Sequence, residues 1–221
     1  MASASSPLAA ISYTLGRVLY VSLTNRCNAV SLIKSRGPGF TISASSGFQM
    51  LPDGFEPSGA QIAAHISDLQ SSGSFPEELC FAGAGEPLLR LRALEEAAVL
   101  IREQSPSLAM RINTNGLVPG SEADSVVTRL MRCGVRSATV ALASTDAAQY
   151  RELMRPETLR YSPGFSLELG LDEVTGFISQ CISAGIAVEC TTVEAPGVDL
   201  DAASSLAADL GATFRSRKYF P

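Results

Sequence analysis

The feature that most constrains this chain is a regular alternation of strand-like and helix-like segments with little sequence left between them. Apolar runs predict strands over 17–25, 78–82, 108–114, 137–143, 186–193 and 213–218. Helical spacing lies between them, in Ile62, Ile66 and Leu69, in Leu91, Leu94 and Ile101, and in Val126, Val127, Leu130 and Met131. The most regular stripe is Val174, Phe177, Ile178, Cys181 and Ile182, at i, i+3, i+4, i+7 and i+8. Punctuation agrees with periodicity. Ser58 and Gln61 have capping-box spacing, Asp146 and Gln149 mark another start, and Gly211 follows a last helix expected over 199–210. Such alternation implies a parallel sheet with right-handed crossovers. About six units are fewer than the eight of a closed barrel, and periodicity alone leaves an open doubly wound sheet equally in play.

The 221 residues suit one domain, expected over 16–221, with residues 1–15 as a flexible lead-in. A hydrophobic share of 46% against 18% charged describes a globular chain and not a disordered one. The net charge of -5 argues against a general binder of nucleic acid or anionic membranes. No apolar run is long enough to span a bilayer. Five scattered cysteines without a CxxC pair argue against a zinc ribbon or thioredoxin-like site and read as reduced thiols, so a cytoplasmic location is expected. His65, the single histidine, falls on an apolar helical stripe and reads as packing. Without a second histidine there is no His-based triad or zinc site.

One connection is too long for mere linkage. Residues 26–56, after the first strand, contain several glycines and lie where α/β folds bind ligands. Within it Arg26, Lys34 and Arg36 gather beside Gly37 and Gly39, an arrangement suited to a phosphate or carboxylate. The bland alternative is three solvated charges. Further chemistry-bearing residues end the next strands: Gly83, Gly85, Glu86 and Pro87, then Asn113, Thr114, Asn115 and Gly116. Taken alone, Gly85 and Glu86 also read as a turn with a helix-terminal acid. In the tail, Arg215, Arg217 and Tyr219 alternate, so one face of the last strand could carry all three.

Asn25-Arg26-Cys27, the Gly85-Glu86-Pro87 motif, the Asn113-Thr114-Asn115-Gly116 motif and the tail, in that order, resemble the TatD-associated radical S-adenosylmethionine (radical SAM) family from about Gly16 onward. The resemblance implies a partial (β/α)6 barrel, a parallel sheet with outer helices. It also implies an S-adenosylmethionine or nucleotide pocket formed by Gly83, Gly85, Glu86, Pro87, Asn113, Thr114 and Asn115, with the Glu86 carboxylate receiving the methionyl ammonium. The departure falls on the reactive part. The family's Cys-x3-Cys-x2-Cys loop is reduced here to Cys27, with Ser31 and Lys34 in the other two places and Ile33 where an aromatic residue often packs near adenine. A 4Fe–4S cluster is held by thiolates, so none is expected. The leading expectation is a radical-SAM-like protein that keeps its small-molecule pocket without its cluster. Two alternatives stand: an active radical SAM enzyme with unconventional cluster ligation, and a non-catalytic interaction module partnering a TatD-like hydrolase.

Overall fold

A computed structural model describes residues 7–72, 77–162 and 165–221, with side chains left out of account over 159–167. The chain opens with a 3-10 turn, Pro7–Ile11, and two short strands, β1 (Ser12–Leu15) and β2 (Val18–Val21). Then follow α1 (Gly59–Ser71), β3 (Glu78–Phe81), α2 (Leu91–Gln104), β4 (Ala109–Thr114), α3 (Gly120–Cys133) and β5 (Val135–Ala141). The second half holds α4 (Ala147–Met154), a hairpin β6 (Thr158–Ser162) and β7 (Phe165–Glu168), α5 (Leu171–Ser183), β8 (Ala187–Val193), α6 (Leu200–Asp209) and β9 (Thr213–Arg217).

Seven strands form one sheet in the order β1-β2-β3-β4-β5-β8-β9. Only β1 runs antiparallel; the six strands from β2 to β9 are parallel. This is the expected α/β architecture, a mostly parallel sheet flanked by helices and compatible with a partial (β/α)6 barrel. Were the sheet flat, its edge strands would lie roughly 29 Å apart, at about 4.8 Å per strand. Instead Tyr13 and Leu15 of β1 line the same cavity as Val193 and Arg217 of β8 and β9, so the sheet curls. The helices form an outer layer in which α1 packs on α2, α2 on α3 and α3 on α5.

Strand alternation divides the side chains between two faces. In β4, Met110, Ile112 and Thr114 are buried, whereas Arg111 and Asn113 face the concave side. That side is polar at its base. Arg111 pairs with Glu78 at 3.2 Å and donates to Tyr20 Oη at 3.0 Å and Asn113 Oδ1 at 2.5 Å, while Arg215 donates to Glu189 at 2.9 Å. The concave face thus has a paired ionic floor, and whatever binds there sits above it, at the strand C-termini.

Two expectations need correction. Residues 7–15 were expected as lead-in, but Ile11 and Tyr13 are buried and β1 pairs with β2 over four residues. Residues 1–6 lie outside the described residues. The hairpin β6–β7, between α4 and α5, was not anticipated either. His65 does pack: it is half-buried and bonded at 2.8 Å to Ser12 Oγ on β1.

Candidate ligand site

The long connection folds back over the strand ends instead of hanging free. Asn25 brackets Leu51, donating from Nδ2 to its carbonyl at 2.8 Å and accepting its N–H on Oδ1 at 3.2 Å. Glu56 ties the other end, accepting from Thr24 Oγ1 at 2.6 Å, Arg26 Nε at 2.9 Å and Arg90 Nη1 at 2.5 Å. Arg26 is therefore spent on Glu56. Arg36 is spent too: its guanidinium donates twice to Lys218 O, at 3.2 and 3.1 Å, and lies over the rings of Phe40 and Phe220. Lys34 faces a different cavity. The expected anion trio does not converge on one point.

The tail docks on the same loop. Phe220 donates its N–H to Arg36 O at 2.8 Å and accepts the Gly39 N–H at 3.1 Å. Gly37 has φ +96°, and a Cβ there would overlap Phe220 O and come within 2.8 Å of the Tyr219 ring. Glycine is required for both reasons.

Under this roof lies a cavity of about 170 Å³. Its walls are largely apolar, with Tyr20, Leu32, Phe40 and Met154 among them; the polar exceptions include Asn113, Thr191 and Arg217. Of the seven expected cofactor residues, Gly83, Gly85 and Asn113 line it. The other four do not. Thr114 and Asn115 are buried, and Glu86, 3% exposed, is bound by protein donors alone: Thr114 Oγ1 at 2.7 Å, Asn115 N at 2.8 Å and Leu88 N at 3.0 Å. Glu86 thus caps the 3-10 turn Pro87–Arg90 and buckles it to the end of β4. Burial pushes its pKa up to about 7, against the pull of those donors. An ammonium group in the cavity would meet Asn113, not Glu86. Gly85 likewise serves the protein. A Cβ there would lie 2.6 Å from Thr24 O and overlap Arg26 O, because the backbone of the first loop passes against it.

A second cavity, of about 440 Å³, adjoins the first across Ile33, which lines both. Cys27, Ser31 and Lys34 all line it, beside Arg155 and Glu157. The three positions of the cysteine motif therefore still surround one space. Their chemistry does not suit an iron–sulfur cluster. Ser31 Oγ accepts from Lys34 N at 3.4 Å and so serves as a local turn cap. Burial pushes the Cys27 thiol up, favouring the neutral form, and Asn115 Nδ2 lies 3.7 Å from its sulfur. Cys80, Cys133, Cys181 and Cys190 are buried elsewhere. Among the described residues no group of three His, Cys, Asp or Glu is placed to hold a metal ion.

Sequence reasoning missed Tyr20, Thr191 and Arg155 as cavity residues. For the first two the signal was strand alternation read to the C-terminal ends. Arg155 carried none; its left-handed backbone (φ 45°) at the end of α4 is visible only in the fold.

No family model matches the chain. It is similar to the FeMo cofactor biosynthesis protein NifB of Klebsiella pneumoniae, 30% identical over 142 residues, which is 63% of this chain but 28% of that protein. Among solved structures it is similar to BtrN in complex with AdoMet and 2-DOIA, at 19% identity and a TM-score of 0.42, over 58% of this chain and 46% of BtrN. It is also similar to a putative phosphonomutase from Burkholderia cenocepacia J2315, at 15% identity and a TM-score of 0.44, over 70% of this chain and 65% of that one. Superpositions this loose carry no functional meaning. Among the described residues no helix is long and apolar enough to cross a membrane. At the level of family relationship, the similarity to NifB supports a radical-SAM-like chain, and nothing in it concerns TatD.

Proposed function

We propose that this chain is a radical-SAM-like barrel that binds a small molecule of the S-adenosylmethionine or nucleotide class at its strand C-termini and does not assemble a 4Fe–4S cluster. The observation that carries this reading is the cavity above the ionic floor, walled by strands from both edges of the sheet and separated by Ile33 from the space around Cys27. Parallel α/β folds bind ligands at this end of their strands. The first cavity is smaller than the roughly 300–1,000 Å³ of most ligand pockets. It takes one ring of adenine's size, and an adenosyl ligand reaches the second only if Ile33, which lines both, moves aside.

The donor set there is what this chain contributes: the backbone at Gly83, the Asn113 amide and the Thr191 hydroxyl, the Gly85 N–H being held by Thr24 O at 3.1 Å. Asn113 Oδ1 is occupied by Arg111 Nη1 and the Cys80 thiol, which leaves its Nδ2 as the donor. When bound, S-adenosylmethionine brings an electrophilic sulfonium centre; Cys27, whose thiol burial favours in the neutral form, is a poor nucleophile toward it. Because the chain spans about a quarter of NifB, cofactor biosynthesis is not carried over to it.

Titration calorimetry with S-adenosylmethionine and S-adenosylhomocysteine tests the reading. Saturable heat from either is expected below millimolar ligand. No heat from both would leave the pocket vestigial and favour the interaction-module alternative.

A further inference from the structure

Most arginines on the concave side and along the strand ends are committed. Arg26 and Arg90 hold Glu56, Arg111 holds Glu78, Arg215 holds Glu189, and Arg36 holds the Lys218 carbonyl. Arg217, the last residue of β9, differs. It is half-buried and lines the first cavity together with Tyr20. Among the described residues no carboxylate, carbonyl or hydroxyl accepts a hydrogen bond from its guanidinium. Its backbone carbonyl, by contrast, is fixed by Glu194 N at 2.9 Å, so the side chain stands on a rigid base.

Its electrical surroundings are one-sided. Burial lowers the Arg217 pKa first, then the charges of Arg215 and Arg36; Glu189 and Tyr20 offset them only in part. Arg215 already neutralises Glu189, and Glu194, the other carboxylate near this mouth, accepts from Ser216 Oγ at 2.7 Å and acts on Arg36. A partly desolvated guanidinium without an acceptor is costly, and a carboxylate or phosphate matches its fork with two parallel hydrogen bonds. Much of the remaining lining is apolar, with Leu32, Phe40 and Met154 in it. A cavity of about 150 Å³ lined by such residues accepts a benzene-sized ring.

We infer that Arg217 is the anion anchor of this cavity, and that its ligand joins a ring-bearing apolar body to a carboxylate or phosphate. The inference rests on the proposed site but not on an adenosyl ligand. Arg217 takes the anionic end while the ring packs between Phe40 and Met154. Among the described residues no ion pair holds the guanidinium, so the anchor is available without first breaking one.

Two probe sets separate this inference from the adenosyl reading. The first is benzoate and phenyl phosphate against neutral benzyl alcohol; the second is S-adenosylhomocysteine and AMP against adenosine. Each is titrated into wild type, Arg217→Gln and Arg217→Lys by ligand-observed NMR. Wild type should prefer benzoate or phenyl phosphate over benzyl alcohol by about tenfold or more, the size of a charge-assisted contact, and whichever anion wins identifies the class. Arg217→Gln should abolish that preference with benzyl alcohol unchanged, and Arg217→Lys should restore part of it. Thermal melting of Arg217→Gln should match or exceed wild type, since no internal ion pair is lost and a partly desolvated charge is removed. If Arg217→Gln keeps the preference, if wild type shows none, or if no member of the first set binds, the anchor is wrong. Binding of the first set with silence from the second keeps the anchor and removes the adenosyl ligand. S-adenosylhomocysteine binding indifferent to Arg217→Gln does the reverse.

Discussion

Glu86 shows how one residue's position relative to a strand end decides its use. The Gly85-Glu86-Pro87 motif looks from the sequence like a ligand contact, yet all the donors described on the carboxylate belong to the protein. Its burial has a measurable consequence. With a pKa of about 7 when folded against an ordinary 4.5, the group keeps its proton in the native state where the unfolded chain has lost it. Its contribution is therefore fully present below about pH 4.5 and is lost as pH rises through 7, on the order of 3 kcal/mol in all. Glu86→Gln has no such titration. The stability of the variant relative to wild type, from urea unfolding, should rise by that amount between pH 4.5 and 8. A difference that stays flat across this range would show that Glu86 is ionised in the fold throughout.

At the scale of elements, the loop after β2 and the segment after β9 act as one roof. Backbone bonds join Gly39 and Arg36 to Phe220, and the Arg36 guanidinium, packed against the Phe40 and Phe220 rings, reaches Lys218, 182 residues along the chain. Gly37→Ala adds a Cβ where Phe220 O already sits and forces an alanine to φ +96°. It should weaken this docking by about 1–3 kcal/mol. Amide exchange at Phe220 should accelerate tenfold or more, while Ile112 in the central strand β4 keeps its protection. Unchanged protection at Phe220 would mean the tail is held by something other than this loop.

For the whole molecule, the order of strands and helices was legible because each element carries its own period. The stripe from Val174 to Ile182 became α5, Ser58 and Gln61 formed the capping box of α1, and Gly211 follows α6 at φ +84°. What failed to show were short pieces that depend on a partner. The four residues of β1 gain their place by pairing with β2, and β6 gains its own by pairing with β7. The site was legible in location and less so in its members. Asn113 and Thr114 separate by the alternation of β4, but beyond a strand end side chains no longer alternate, so nothing local told Gly83, which lines the cavity, from Glu86, which turns away. Arg26 and Arg36 were read together because they are close in sequence; their acceptors, Glu56 and Lys218, come from far along the chain.

The central claim is a radical-SAM-like scaffold whose cysteine loop no longer builds a cluster, although Cys27, Ser31 and Lys34 still line one cavity. Iron and sulfide per chain, measured after anaerobic reconstitution, tests it most directly, with the Ser31→Cys, Lys34→Cys double variant as reference. Wild type should hold well under one iron per chain, and the variant, with three thiolates around the same cavity, should take up several. About four irons per wild-type chain, the content of a complete cluster, would contradict the account.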